Sequence, residues 1–267
     1  MTRMAGLRGS PWWKQLSARH PQWWTLALSG LGWLLILSSG LSAAGPSVHH
    51  CHHDCSSDGM VAHTLAVPPW ISDGIHSFAM AAAMMLPLAI PSVRVVAFRS
   101  LWARRHRAIA VFLVAYLACW VCASWLMARL VAPLRSTSND NVWMWVAIAL
   151  SAAAVWELTP IKRWGWRACH RTEPLPPRGW RATWGCLRFG CRQGCGCVAS
   201  CGALMLAPAL LGHSFVAMAA GTIACLLNRY RPEHRPVAAA GVLGACASVA
   251  MLLSIATRGS AAALFAG

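Results

Sequence analysis

Long apolar stretches, separated by short polar and basic segments, dominate this chain of 267 residues. Seven of them approach the roughly 17–25 residues that a helix needs to cross a membrane. They lie at about residues 24–43, 75–96, 109–131, 142–161, 195–211, 213–227 and 237–255. The pattern predicts an all-α, polytopic helical membrane protein with about seven transmembrane helices in a single membrane domain, residues 1–267.

Two points of this topology stay open. The sixth stretch is the shortest, and Gly212, His213 and Ser214 leave room only for a tight hairpin after the fifth. Five spans with a re-entrant pair is therefore an alternative count. Residues 1–44 also have the basic flank, apolar core and small-residue end of a signal peptide. Because the apolar core is long for a signal peptide, we favour an uncleaved first span.

The basic residues predict the orientation of the chain. With the N-terminus cytoplasmic, all but three of the 23 Lys and Arg residues fall on the inner side, the exceptions being Arg129, Arg135 and Arg258. This positive-inside bias predicts N-in and, with seven spans, C-out. It also accounts for the net charge of +16. Since no basic face on a soluble fold is visible, we expect no nucleic-acid partner.

Two polar segments lie between the predicted spans. The outer one, residues 45–74, is rich in His, Ser, Gly and Pro and has no Lys or Arg. The inner one, residues 162–194, is basic and is interrupted by prolines, which rule out one continuous helix. After the prolines, Trp180, Trp184 and Leu187 share one helical face beside a sector of arginines, a pattern typical of an interfacial helix.

The outer segment contains a dense cluster of potential metal ligands. Its donors are His49, His50, Cys51, His52, His53 and Cys55. Neutral imidazole and thiolate both coordinate copper, zinc or nickel, so the cluster indicates a metal without selecting one. The alternative is a disordered polar loop closed by a Cys51–Cys55 disulfide.

Two stripes of soft donors lie inside predicted spans. His76, Met80 and Met84 fall at i, i+4 and i+8, with Met85 beside them. The fifth span repeats this spacing with three further residues, which are Cys197, Cys201 and Met205. Thioether, thiolate and imidazole suit Cu(I). If the two spans touch, these donors form a line across the membrane; otherwise they are packing residues.

Other chemistry is sparse in the sequence. Glu157 lies near the inner end of the fourth span, where we expect it to pair with Lys162, Arg163 or a neighbouring helix. The sequence has no phosphate-binding loop, dinucleotide fingerprint or serine-hydrolase elbow. We therefore predict that the protein is not an enzyme.

Three segments occur in the order that we associate with a bacterial domain-of-unknown-function family, described as predicted metal-binding integral membrane proteins. They are Met80-Ala-Ala-Ala-Met84-Met85-Leu-Pro87, Leu158-Thr159-Pro160-Ile-Lys162 and the Cys197, Cys201, Leu204, Met205 run. The chain resembles this family over about residues 70–230, which implies a polytopic inner-membrane protein with a metal role. It departs from the family where a Cys-Cys pair followed by Trp is usual, because Ser200-Cys201-Gly202 stands here.

Taken together, these features predict a multi-pass protein of the bacterial inner membrane that binds copper, with Cu(I) favoured and zinc or nickel as alternatives. Its function would be copper uptake, transfer or delivery to a membrane cuproenzyme, with a periplasmic metal donor or a membrane enzyme complex as partner. The main alternative is a non-metal structural or assembly subunit of a larger membrane complex. A redox enzyme using Cys195 and Cys197, and axial haem ligation by His76 with Met84 or Met85, are further alternatives.

Overall fold

The computed structural model describes residues 20–43, 69–137, 142–176, 178–211, 214–230 and 236–265. Over these ranges the chain forms helices and no strands, which confirms the all-α fold class. The helices are α1 (Trp23–Ala43), α2 (Pro69–Arg99), α3 (Arg105–Thr137), α4 (Val142–Glu157), α5 (Pro160–His170), α6 (Gly179–Leu210), α7 (Phe215–Tyr230) and α8 (Pro236–Phe265). A 3₁₀ turn, Trp102–Arg104, joins α2 to α3.

Four helical segments in the described residues are long and apolar enough to cross a membrane. They are Ser77–Arg99, Trp102–Pro133, Gly179–Leu210 and Pro236–Ala256. Helices α4 and α5 make a fifth candidate, bent by 71° between them, and the apolar parts of α1 and α7 are shorter. Most of the predicted stretches therefore coincide with a described helix, whereas the fourth, residues 142–161, crosses the bend from α4 into α5. The number of spans stays a prediction.

Helix α6 differs from the expected arrangement. The predicted interfacial helix and the predicted fifth span belong to one continuous helix, Gly179–Leu210. Two of its glycines lie where α3 approaches closely: a Cβ on Gly190 would lie 2.5 Å from the Phe112 carbonyl oxygen, and one on Gly194 would lie 2.7 Å from the Cys119 Cβ. Close packing on α3 therefore offsets the low helix propensity of glycine.

Helix α6 is the centre of the bundle, because it packs against α3, α4, α5 and α7. Helix α2 packs against α1 and α3, and α8 packs against α4. Pro87 interrupts α2 and supplies no N–H to the Ala83 carbonyl four residues earlier. The Ser29 hydroxyl of α1 donates to that carbonyl at 2.9 Å, so it supplies the hydrogen bond that the proline removes.

Two of the basic segments predicted to be cytoplasmic meet at one end of the described bundle. The Arg99 guanidinium donates to the Glu173 carbonyl oxygen at 2.7 Å. Arg104 donates to the Thr183 hydroxyl at 2.9 Å. These bonds tie the α2–α3 connection to the segment after α5 and to the start of α6. We call this end of the bundle the basic end.

Candidate metal-binding site

A cavity of about 440 Å³ lies between α2, α3 and α6. Among the described side chains that line it are five methionines: Met80, Met84, Met85, Met127 and Met205. The methionine stripe on α2 and Met205 on α6 therefore face one space. We call this space the methionine cavity.

Helix α7 brings the methionines of α2 and α6 together. A Cβ on Gly221 would lie 3.2 Å from the Met205 Cε and 3.7 Å from the Met84 Cε. Both thioethers thus contact the same bare stretch of α7 backbone, and Met218 is buried one turn before it. The absence of a side chain at residue 221 leaves room for these methionine ends between the three helices.

Beyond the methionine cavity, four cysteines form a line of neighbouring thiols. The side chains of Cys169, Cys197 and Cys201 border one small void, and the Cys225 thiol lies near that of Cys201. Helices α5, α6 and α7 contribute one, two and one of these residues. Each is at most 5% exposed. We call Cys169, Cys197, Cys201 and Cys225 the thiol line.

Tyr116 connects the methionine stripe to the thiol line. Its buried hydroxyl lies 3.1 Å from the Met85 carbonyl oxygen and 3.2 Å from the Cys197 Sγ. A hydroxyl has one proton to donate and two lone pairs, so it can donate to the carbonyl and accept from the thiol. The bond fixes the position of Cys197 relative to α2.

A buried ion pair lies beside the thiol line. The Lys162 ammonium donates to Glu157 Oε1 at 2.8 Å and also to the Ser200 carbonyl oxygen. Thr159 caps α5 by accepting from the Lys162 N–H at 3.2 Å, and Pro160 occupies the first helical position. The expected pairing of Glu157 with Lys162 is confirmed, and it occurs at the bend between α4 and α5.

A cleft of about 570 Å³ opens at the basic end. Its polar and sulfur-bearing side chains include Arg94, Cys169, His170, Gln193 and Arg229. A small void of about 10 Å³ adjoins Cys169, His170, Cys197 and Cys201. The thiol line therefore extends from the methionine cavity, where Cys201 lies one turn from Met205, to this cleft, which Cys169 lines.

The structure brings together six of the residues singled out from the sequence, which are Met80, Met84, Met85, Cys197, Cys201 and Met205. His49, His50, Cys51, His52, His53 and Cys55 lie outside the described residues. The backbone of His76 lies in α2, whereas its side chain is outside the described part. Cys195 faces away from the thiol line, and its Sγ is 3.9 Å from the Cys119 Sγ.

Sequence reasoning missed Cys169, Cys225 and Met127. Cys169 lies in the segment 162–194, which the sequence predicts to be a basic inner loop. In the structure it is the last of four buried α5 residues, which are Lys162, Gly165, Ala168 and Cys169. Their spacing of i, i+3, i+6 and i+7 is the signal of one buried helical face. Cys225 lies seven residues after Met218 on a buried face of α7, which the same spacing indicates.

The donors fit a soft metal ion better than a hard one. Among the residues that the structure describes, no group of three or more His, Cys, Asp or Glu side chains is placed to hold one metal ion. Metal binding in this core would therefore use thioethers or pairs of thiols. In the described part of the core, ions that prefer carboxylates, such as Mg²⁺ and Ca²⁺, lack suitable ligands, while thioether and thiolate suit soft ions, Cu(I) among them.

Comparison with known families agrees with this chemistry. Residues 78–253 match the family PpoB2, described as a copper chaperone. Because the match covers about two thirds of the 267 residues, the chain belongs to this family. No curated protein and no solved structure matches the sequence. The copper connection expected from the sequence is thus confirmed for the family.

Proposed function

We propose that this member of the copper chaperone family is an inner-membrane protein that binds Cu(I) in the methionine cavity and delivers it to a membrane cuproenzyme. Its role would be transfer of the ion without a catalysed reaction. The observation that carries the proposal is the convergence of five methionines from three helices on one cavity. Thioethers bind Cu(I) and have little affinity for the harder divalent ions.

The donor set favours Cu(I) over zinc and nickel. Structural zinc sites are closed by four Cys or His ligands, and catalytic ones by three protein ligands. The described residues contain no such group of three or more. A thioether-lined cavity supplies neither the imidazole nor the carboxylate oxygens that suit zinc and nickel.

The position of the methionine cavity supports entry of copper from the outer side. Ser77, Arg129 and Ala209 line it, and they lie near the ends of α2, α3 and α6 that are remote from the basic end. Basic segments face the cytoplasm in inner-membrane proteins. The cavity would then lie in the outer half of the bundle, on the same side as the predicted His/Cys segment 45–74.

The test replaces both central thioethers in the variant Met84→Leu/Met205→Leu. Methionine-to-leucine changes conserve volume and usually cost less than about 1.5 kcal/mol, so folding should survive. We expect the detergent-purified variant to lose one Cu(I) equivalent, or to bind it at least ~10-fold more weakly, which corresponds to about 1.4 kcal/mol. Elemental mass spectrometry and competition with a Cu(I) chelator would measure this loss.

The matched control is Met144→Leu/Met251→Leu, since neither residue lines the methionine cavity. Copper binding unchanged from wild type is expected for the control. Unchanged binding by a folded Met84→Leu/Met205→Leu protein would refute a thioether site. A folded wild type that binds no copper, zinc or nickel would instead favour the structural subunit of a larger membrane complex.

A further inference from the structure

We infer that the thiol line is a second Cu(I) site, distinct from the methionine cavity, in which Cys225 and Cys201 bind the ion and Cys197 and Cys169 lead it to the cleft at the basic end. The inference rests on the proposed copper role. It assigns a function to Cys169 and Cys225, which the sequence pattern did not connect with the other donors.

The arrangement of the four thiols is hard to explain by packing alone. They come from three helices, Cys169, Cys197 and Cys201 border one void, Cys225 lies near Cys201, and each is nearly fully buried. Cys186 shows the contrast, because it is a buried thiol of α6 that neighbours Arg104 and no member of the thiol line. Cys201 is the hub, since it borders the same void as Cys197 and lies near Cys225 on the neighbouring helix.

The methionine cavity leads directly to this hub. Met205 lies one helical turn after Cys201 on the same buried face of α6. Its Cε lies against Gly221 of α7, four residues before Cys225. An ion held by Met205 is therefore one turn from Cys201 on one helix and close to one turn from Cys225 on the other.

Pairs of thiolates suit the ion because Cu(I) forms stable two-coordinate complexes with soft ligands. Binding converts Cu⁺ and two thiols into an anionic bis-thiolate complex and two protons, with no change of oxidation state. The Lys162–Glu157 ion pair lies beside these thiols, so the complex forms next to a buried pair of opposite charges. The two protons leave to water.

Movement along the thiol line needs only ligand exchange. The next thiol gives up its proton as it binds the ion, and the thiolate released behind it takes up a proton. Cys201 and Cys197 form the next pair, and Cys197 and Cys169 form the last. Cys169 lines the cleft of about 570 Å³ together with His170, so an ion at this end is open to an acceptor ligand.

The test measures the thiolate-to-copper charge-transfer absorption of purified protein titrated with Cu(I). With Cys51 and Cys55 changed to Ala in every protein tested, we expect Cys201→Ala/Cys225→Ala to bind one Cu(I) equivalent at least ~10-fold more weakly and to show less of this absorption, since only Cys197 and Cys169 remain to hold the ion. The equivalent in the methionine cavity remains. Cys186→Ala/Cys246→Ala is the matched control and should keep both. The variant Met84→Leu/Met205→Leu should show the opposite loss, retaining the thiolate absorption.

These outcomes separate the two proposals. Full thiolate absorption in folded Cys201→Ala/Cys225→Ala would overturn the second site and leave the methionine cavity intact. If the double variant does not fold, the single variant Cys225→Ala decides the same question, because it removes one ligand of the first pair. Cys169→Ala tests the path to the cleft. We expect it to bind as much Cu(I) as the wild type, while a water-soluble Cu(I) chelator removes the ion at least tenfold more slowly. An unchanged rate of removal would refute the path to the cleft.

Discussion

Removing the Lys162 ammonium should destabilise the bundle more than any surface change. Lys162 is 1% exposed and Glu157 is 4% exposed, and their ion pair joins the bend between α4 and α5 to the Ser200 carbonyl of α6. In Lys162→Met, Glu157 would keep a buried charge without its partner, and its Oε2 already has no hydrogen-bond partner among the described residues. Breaking a buried pair in this way costs about 3–5 kcal/mol.

Two further variants test the reasoning behind this magnitude. Lys162→Met/Glu157→Leu removes both charges, and replacing a whole buried pair by apolar groups is often neutral, so we expect a far smaller cost than for the single variant. Arg192 and Glu173 form a second ion pair, which is partly exposed. Arg192→Gln should therefore cost no more than about 1 kcal/mol.

The assay is reversible unfolding in mixed micelles, followed by far-UV circular dichroism, with all variants compared under one detergent composition. The expected order of stability loss is Lys162→Met first, then the double variant, then Arg192→Gln close to wild type. If Lys162→Met lies within about 1 kcal/mol of wild type, the pair does not hold the bend in place. If the double variant is as costly as the single one, the loss comes from packing and the charge argument is wrong.

Two other stability predictions concern helix contacts and use the same assay. Ser29→Ala should cost about 1–3 kcal/mol, because it leaves the buried Ala83 carbonyl without its donor; a loss below about 0.5 kcal/mol would contradict the assigned bond. Gly190→Ala should cost about 1–3 kcal/mol, since its Cβ would meet the Phe112 carbonyl oxygen, whereas Gly244→Ala meets nothing within 4 Å and should be neutral or stabilising. Equal effects of the two alanines would refute close packing at residue 190.

Local periodicity predicted the features that depend on one helix at a time. The i, i+4, i+8 spacing placed Met80 and Met84 on one face and Cys197 and Cys201 on another, and each pair faces the core. This works because side-chain direction in a helix follows from residue number alone. Whether the two stripes meet depends on which helices pack together, and residue spacing within one helix carries no information on that. The sequence therefore predicted a line of donors only for the case that the two spans touch.

Features that depend on a change of chain direction were not predicted. Cys169 reaches the core because α5 is bent by 71° relative to α4 and packs its small residues against α6. A Cβ on Gly165 would lie 2.8 Å from the Gly196 carbonyl oxygen, so the two backbones are nearly in contact there. The prolines and arginines of residues 162–194 indicated an exposed loop. That interpretation followed the amino-acid composition and overlooked the helical spacing of the buried residues in α5.

Ser200 bears on the inferred binding of Cu(I) by pairs of thiols. Its hydroxyl oxygen lies 3.5 Å from the Cys201 Sγ and 4.0 Å from the Cys169 Sγ, which puts it within the thiol line. The metal-binding family that the sequence resembles tends to carry a cysteine pair at this place, whereas this chain has Ser200-Cys201. A thiol at residue 200 would stand between those of Cys169 and Cys201 and would offer an ion a third soft ligand. The serine hydroxyl is a harder, neutral donor, so under this inference Cu(I) would keep two thiolate ligands. We therefore expect Ser200→Cys to add a third soft ligand, to tighten Cu(I) binding and to slow its extraction by a water-soluble chelator.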